Sequence, residues 1–129
     1  MQGQRVTTKA IAFLATRDAN ASRRFYEEVL GLRLVDDNDF ALVFDAFGTM
    51  LRIQKTPDVV TAPYTAFGLE VDDIAASVAA LSEKGVPPKR YDGMGQDTQG
   101  IWTAPSGARI AWFADPDGHV VSLSQFEAR

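Results

Sequence analysis

The chain has 129 residues, a mass of 14.1 kDa, 46% hydrophobic and 23% charged residues, and a formal net charge of −4 with a pI near 4.9. These values imply one globular domain over 1–129 with a sizeable core, and the acidic balance argues against nucleic acid and anionic membranes as partners. Without cysteine there is no disulfide framework and no thiol chemistry. With no signal peptide or long apolar run in view, a cytoplasmic location is the default expectation.

The chain opens on a loose polar terminus, Met1 to Gln4. Lys9 to Ala15 is short and apolar and reads as a strand buried on both faces. Asp18 is a good N-cap. Behind it Ala21, Phe25, Tyr26, Val29 and Leu30 keep helical spacing until Gly31, so a helix is expected at about residues 19–30. Three strands should follow. Leu32–Val35 and Phe40–Phe44 are separated by the acidic turn Asp36 to Asp39, and Thr49–Gln54 follows the turn Asp45 to Gly48. Alternation along the last strand puts Arg52 with Met50 and Gln54, opposite Leu51 and Ile53. Thr56 to Ala62 reads as a surface linker.

The second half repeats the first. Tyr64–Val71 is a strand, Asp72 or Asp73 caps a helix at about 73–84 with Ile74, Val78 and Leu81 inward, and Gly85 ends it. The distance from Asp18 to Gly31 (31 − 18 = 13) equals that from Asp72 to Gly85 (85 − 72 = 13). Phe13 and Phe67 share that offset of 54, although Thr16-Arg-Asp18 also matches Val71-Asp-Asp73 at 55. Gly48 and Gly118 precede matching strands at a larger offset (118 − 48 = 70), which places an insertion at Val86 to Gly100. Within or beyond it, Thr98–Ala104 reads as a strand carrying Trp102. Pro105-Ser-Gly107 turns the chain into Arg109–Phe113. Asp115-Pro-Asp-Gly118 is turn chemistry at every position, leading into Val120, Val121 and Leu123. The copies span 5–55 and 63–126. Each βαβββ unit has a sheet face it cannot cover alone, so the pair shares a core or encloses a cleft.

The stretches Phe25-Tyr-Glu-Glu-Val-Leu-Gly-Leu32, Val71-Asp-Asp-Ile74 and Trp112-Phe-Ala-Asp-Pro-Asp-Gly118, in this order and spacing, resemble the vicinal oxygen chelate superfamily of glyoxalases, bleomycin-resistance proteins and extradiol dioxygenases. The resemblance runs over roughly Lys9 to Gln125. It implies an α+β fold of two paired βαβββ modules forming a cup-shaped, mostly antiparallel sheet, and a homodimer. It also implies a divalent metal in the enzymes, or simply a small molecule, inside the cup. The metal-ligand positions of the enzymes match Ile11, Arg52, Ala66 and Ser122 here. Ile and Ala offer no lone pair, a guanidinium repels a cation, and serine is a poor neutral ligand. No metal and no cofactor is therefore expected. His119, the only histidine, reads as a turn residue near the surface, and Glu70 is the one nearby carboxylate.

What remains is an aromatic cleft. Its candidate ligand-binding residues are Phe13, Met50, Arg52, Tyr91, Trp102, Trp112 and Phe113, with Arg52, Trp102 and Trp112 bordering one cleft between the copies. The leading expectation is a metal-free protein that binds a small organic molecule. The alternatives are a metal-dependent lyase, isomerase or dioxygenase with displaced ligands such as Glu70 and His119, and an interaction module without a small ligand.

Overall fold

The computed structural model describes residues 7–127; the expected loose terminus at Met1 to Gln4 lies outside them. Strand β1 (Ile11–Thr16) leads into helix α1 (Ala19–Arg23), which runs on as a π-helix over Arg24–Val29. Strands β2 (Arg33–Asp37), β3 (Ala41–Ala46) and β4 (Thr49–Lys55) complete the first copy. The second consists of β5 (Thr65–Glu70), α2 (Ile74–Glu83), β6 (Trp102–Thr103), β7 (Arg109–Ala114) and β8 (Val120–Gln125). Each copy forms its own four-stranded sheet, in the orders β1-β4-β3-β2 and β5-β8-β7-β6. In each, the first strand pairs parallel with the last and the other pairs are antiparallel. The fold is thus α+β with paired βαβββ modules, as the repeat implied.

Local chemistry explains the helix starts. Asp18 and Asp73 each accept the backbone N–H three residues on, at 3.1 Å in both cases. The second cap is thus Asp73, and the copies align there at 73 − 18 = 55. Both helices end at a glycine with positive φ, Gly31 and Gly85, and these align at 85 − 31 = 54. The first copy holds one more residue between cap and glycine, and the π-helix takes it up: Leu30 N–H donates to Phe25 O, one residue further back than in an α-helix. The wider turn lets adjacent Phe25 and Tyr26 both point inward, where both are buried.

Alternation divides every strand. On β4, Leu51 and Ile53 are buried, with Phe25 and Tyr26 in the same cluster, while Met50 and Arg52 face the other way. On β7, Ala111 and Phe113 pack under α2 with Ile74, Val78 and Leu81. Strand β1 departs from expectation. It is buried on one face only, and Ile11 and Phe13 are exposed, Phe13 by 55%. The strand expected at Thr98–Ala104 shrinks to Trp102–Thr103, because the preceding chain is held by its own side chains. Gln96 Nε2 donates to Lys89 O and Gly100 O, and Arg90 donates to Asp97 O and Thr98 O.

Tyr26 fixes how the sheets meet. Its ring lies 6.0 Å from Phe44 of β3 and 6.3 Å from Phe67 of β5, and its hydroxyl donates to Asp115 just beyond β7, at 2.7 Å. One side chain reaches both sheets only if their helix-bearing faces look toward each other. Accordingly Val121 and Phe67 of the second copy pack into the first copy's core, while Val29 and Leu30 of the first pack into the second's. The remaining face of each sheet, called outer below, turns away from this shared core.

Candidate functional site

The outer face of the first sheet brings together three of the expected residues. Phe13 and Arg52 are register partners on β1 and β4, and Met50 is partnered with Ile11. A cavity of about 340 Å³ opens on this face, lined by Lys9, Ile11, Val35, Val43, Asp45 and Met50. Asp45 is held below the usual carboxylate range by the Gly48 N–H and then by Arg33. Arg52, by contrast, makes no ion pair among the described residues, although it is only partly exposed. A guanidinium set among apolar side chains without a carboxylate partner suits an incoming anion.

The outer face of the second sheet carries the aromatic cluster. Trp112 lies 6.0 Å from Trp102 and 5.6 Å from Tyr91, whose ring stands edge-on to it at 90°. The insertion puts Tyr91 there, since Lys89 N–H donates to Trp112 O at 2.7 Å and Gln96 Oε1 receives the Tyr91 N–H. All three rings are partly exposed. Phe113 belongs elsewhere. It points to the opposite side of β7 and is fully buried in the core. Arg52 and the Trp102–Trp112 pair do not border one cleft inside the chain, because they stand on outer faces that turn away from each other.

Between the copies run two seams, related by the repeat. In the first, the β7–β8 turn docks on the start of α1. Asp117, 6% exposed, accepts the Thr16 hydroxyl at 2.6 Å, the Ser22 hydroxyl at 3.3 Å and the Arg17 N–H at 3.0 Å. Burial would raise its pKa, but these hydrogen bonds and the Arg17 charge outweigh it and hold Asp117 below the usual range. Asp115 accepts the N–H groups of Asp117 and His119 on one oxygen and the Tyr26 hydroxyl on the other. Burial, then the Asp115 charge, pushes the Tyr26 phenol far above its ordinary value. His119 is buried rather than near the surface, and its Nε2 pairs with Ala15 O at 2.8 Å. The partners that join the two copies here lie 89 to 104 residues apart in the chain, and apart from its turn residues this seam went unseen in the sequence.

In the second seam the β3–β4 turn faces α2 at Ser77, Ala80 and Leu81. A two-residue turn, Phe47-Gly48, links Ala46 to its partner Thr49. Both residues have positive φ, 52° and 102°. An L side chain in that region costs about 1–2 kcal/mol, and Asn-Gly is the inexpensive solution. Phe47 is nonetheless 76% exposed and borders a cavity of about 280 Å³ with Leu30, Leu69, Val71, Leu81 and Leu123.

A family model described as the Glyoxalase/Bleomycin resistance protein/Dioxygenase superfamily matches residues 7–123. The chain belongs to this superfamily. Among solved structures, a bleomycin resistance determinant encoded on the transposon Tn5 is 22% identical, with 95% of this chain and 100% of that one covered and a TM-score of 0.73. A genomically encoded fosfomycin resistance protein from Listeria monocytogenes is 15% identical over 95% and 96%, with a TM-score of 0.72. A lactoylglutathione lyase from Agrobacterium tumefaciens is 18% identical over 92% and 94%, with a TM-score of 0.67. At these identities the likeness is one of fold. No curated protein matches the chain.

The superfamily's enzymes use a divalent metal, and the residues at the matching positions do not fit one. Ile11 and Arg52 stand on the outer face of the first sheet, Ala66 and Ser122 on that of the second. Among them only the Ser122 hydroxyl offers a donor, and it is neutral. Gly68 lies beside Ser122, and a Cβ there would come within 2.9 Å of the Ser122 oxygen, so this part of the face is closely packed. His119 is engaged in the first seam and Glu70 lies at the end of β5. Among the described residues no three His, Cys, Asp or Glu side chains converge on a metal-sized site. No helix there is long and apolar enough to cross a membrane.

Proposed function

We propose that this protein is a cytoplasmic homodimer that binds a small organic molecule without a divalent metal, in the manner of a sequestering protein rather than a metalloenzyme. The carrying observation is the placement of complementary half-sites on outer faces that turn away from each other. One half carries Phe13, Met50 and Arg52, and the other Tyr91, Trp102 and Trp112. A second copy, related by two-fold symmetry, lays its aromatic half over the first copy's Arg52 half and generates two equal clefts. A planar, acidic ligand then stacks on an indole while the guanidinium takes its anionic group through two parallel hydrogen bonds. Phe113 is left out of this site, because it packs the core.

Four measurements test the reading. Sedimentation velocity should give a dimer. Tryptophan fluorescence and thermal shift against aromatic carboxylic acids should give saturable binding, since a ligand of the native state raises its apparent stability. Replacing Arg52 with Met should leave the fold intact and weaken an anionic ligand by about 1.5–3 kcal/mol, the range for hydrogen bonds to charged groups. A monomer that binds such ligands with undiminished affinity would falsify the shared cleft. Elemental analysis showing one equivalent of nickel, zinc, iron or manganese bound through native side chains would refute the metal-free reading.

A further inference from the structure

Six polar or charged side chains are buried among the described residues. Five of them, Thr16, Ser22, Asp115, Asp117 and His119, are hydrogen-bonded within the first seam. The sixth, Ser122, is 7% exposed, and its hydroxyl makes no hydrogen bond among the described residues. A polar group left unpaired inside a protein costs its full desolvation, so native structures avoid it. Among the described residues no fully buried side-chain N or O lacks a partner, so the Ser122 oxygen stands at the surface of the sheet.

Its neighbours show what it faces. Ser122 is the register partner of Trp112 on β7 and of Gly68 on β5. Phe67 and Leu69 pack toward the core, which puts Gly68 on the outer face with Ser122 and Trp112, and Gly68 is exposed. Unlike Gly31 and Gly85, Gly68 does not have a positive φ, so nothing in its backbone calls for glycine. A glycine inside a strand weakens it, and such a position often marks the close approach of a ligand. Here the point that a Cβ would occupy lies 2.9 Å from the Ser122 oxygen. That is too near for a carbon, and it is an ordinary distance for an oxygen or nitrogen that shares a hydrogen.

We propose that Gly68 and Ser122 form a polar notch beside the Trp112 indole, and that the notch selects ligands carrying a neutral hydroxyl on their aromatic ring. The inference rests on the shared cleft of the proposed function and narrows its ligand to a hydroxyaryl carboxylic acid. The ring lies on Trp112, the hydroxyl meets Ser122 and the carboxylate goes to Arg52 of the partner subunit. A serine hydroxyl both donates and accepts, so it takes a ligand hydroxyl in either sense. A carboxylate at the notch would find one donor and no charge, and it is better served by the guanidinium.

The test is calorimetric titration of the full chain with benzoate, each of its monohydroxy derivatives and phenol. At least one hydroxybenzoate should bind about fivefold more tightly than benzoate, the factor that one neutral hydrogen bond supplies. That preference should disappear in Ser122→Ala, which removes the hydroxyl, and in Gly68→Ala, whose methyl group fills the notch. A serine kept only for packing, or a glycine kept only for the strand, would change Tm and leave the preference in place. Equal affinity of the wild type for benzoate and every hydroxybenzoate would overturn the notch and leave the dimer cleft standing, as would a preference that survives both substitutions. Ser122-dependent binding of phenol, with no acid bound, would support the notch and overturn the Arg52 cleft. No binding by any probe would overturn both.

Discussion

Both seams set a hairpin turn of one copy against the other copy's helix, yet they differ in their physics. The first is a buried carboxylate saturated with donors, in which Asp117 holds the Thr16 and Ser22 hydroxyls and the Arg17 N–H. The second presents an exposed phenylalanine over an apolar cavity. A buried charge is tolerated only when every donor finds it, so the first seam is rigid and specific in its geometry. Apolar contact is not directional and accepts a gap. The same backbone plan thus yields one closed joint and one that leaves about 280 Å³ open.

That comparison is broken most severely at Asp117. Asp117→Ala leaves three donors without their acceptor, and we expect a loss of about 2–3 kcal/mol in urea unfolding, against at most about 0.5 kcal/mol for Phe47→Ala at the equivalent place. Equal losses would show that the seams are not unlike in energy. Asp117 also sets an acid limb. Its pKa is depressed in the folded state, so its contribution is fully present above the unfolded value near 4 and disappears as pH falls through the folded value. Stability of the wild type should therefore decline below about pH 4 more steeply than that of Asp117→Asn.

Next in size is Tyr26→Phe, which removes a hydrogen bond to a buried carboxylate and should cost about 1.5–3 kcal/mol. Here the sign reverses. The folded pKa is raised, so the stabilisation is present below the unfolded value near 10 and is lost as pH climbs past it, when only the unfolded chain ionises at this position. The phenylalanine variant should lack that part of the alkaline decline, and a wild-type profile identical to it above pH 9 would contradict the buried phenol. Smallest, and opposite in direction, is Phe47→Asn, with an expected gain of about 1 kcal/mol from the relieved turn.

Sequence periodicity reached much of this. Alternation along β4 correctly separated Leu51 and Ile53 from Arg52, and capping chemistry located both helices. What it could not reach was which way each sheet faces. Parity says which residues share a side, not which side meets the other copy, and so Arg52 and Trp112 were expected to converge when they stand back to back. Trp112 and Phe113 are adjacent aromatics, and composition alone gives no means of choosing the one that lies inside. The first seam was hidden for another reason. Asp115-Pro-Asp-Gly118 already makes sense as a turn, which leaves nothing to signal that Asp117 is bonded to a hydroxyl 101 residues away.

The π-helix at Arg24–Val29 makes the two halves unequal. They differ by one residue between cap and terminal glycine, and the extra residue is taken up as a widened turn rather than as a loop. The halves are consequently not interchangeable parts. A chain assembled from two second halves would lack the adjacent Phe25–Tyr26 pair, and one from two first halves would lack the clamping aspartate. Each half is the other's required mate, so only the unlike pair forms the closed joint.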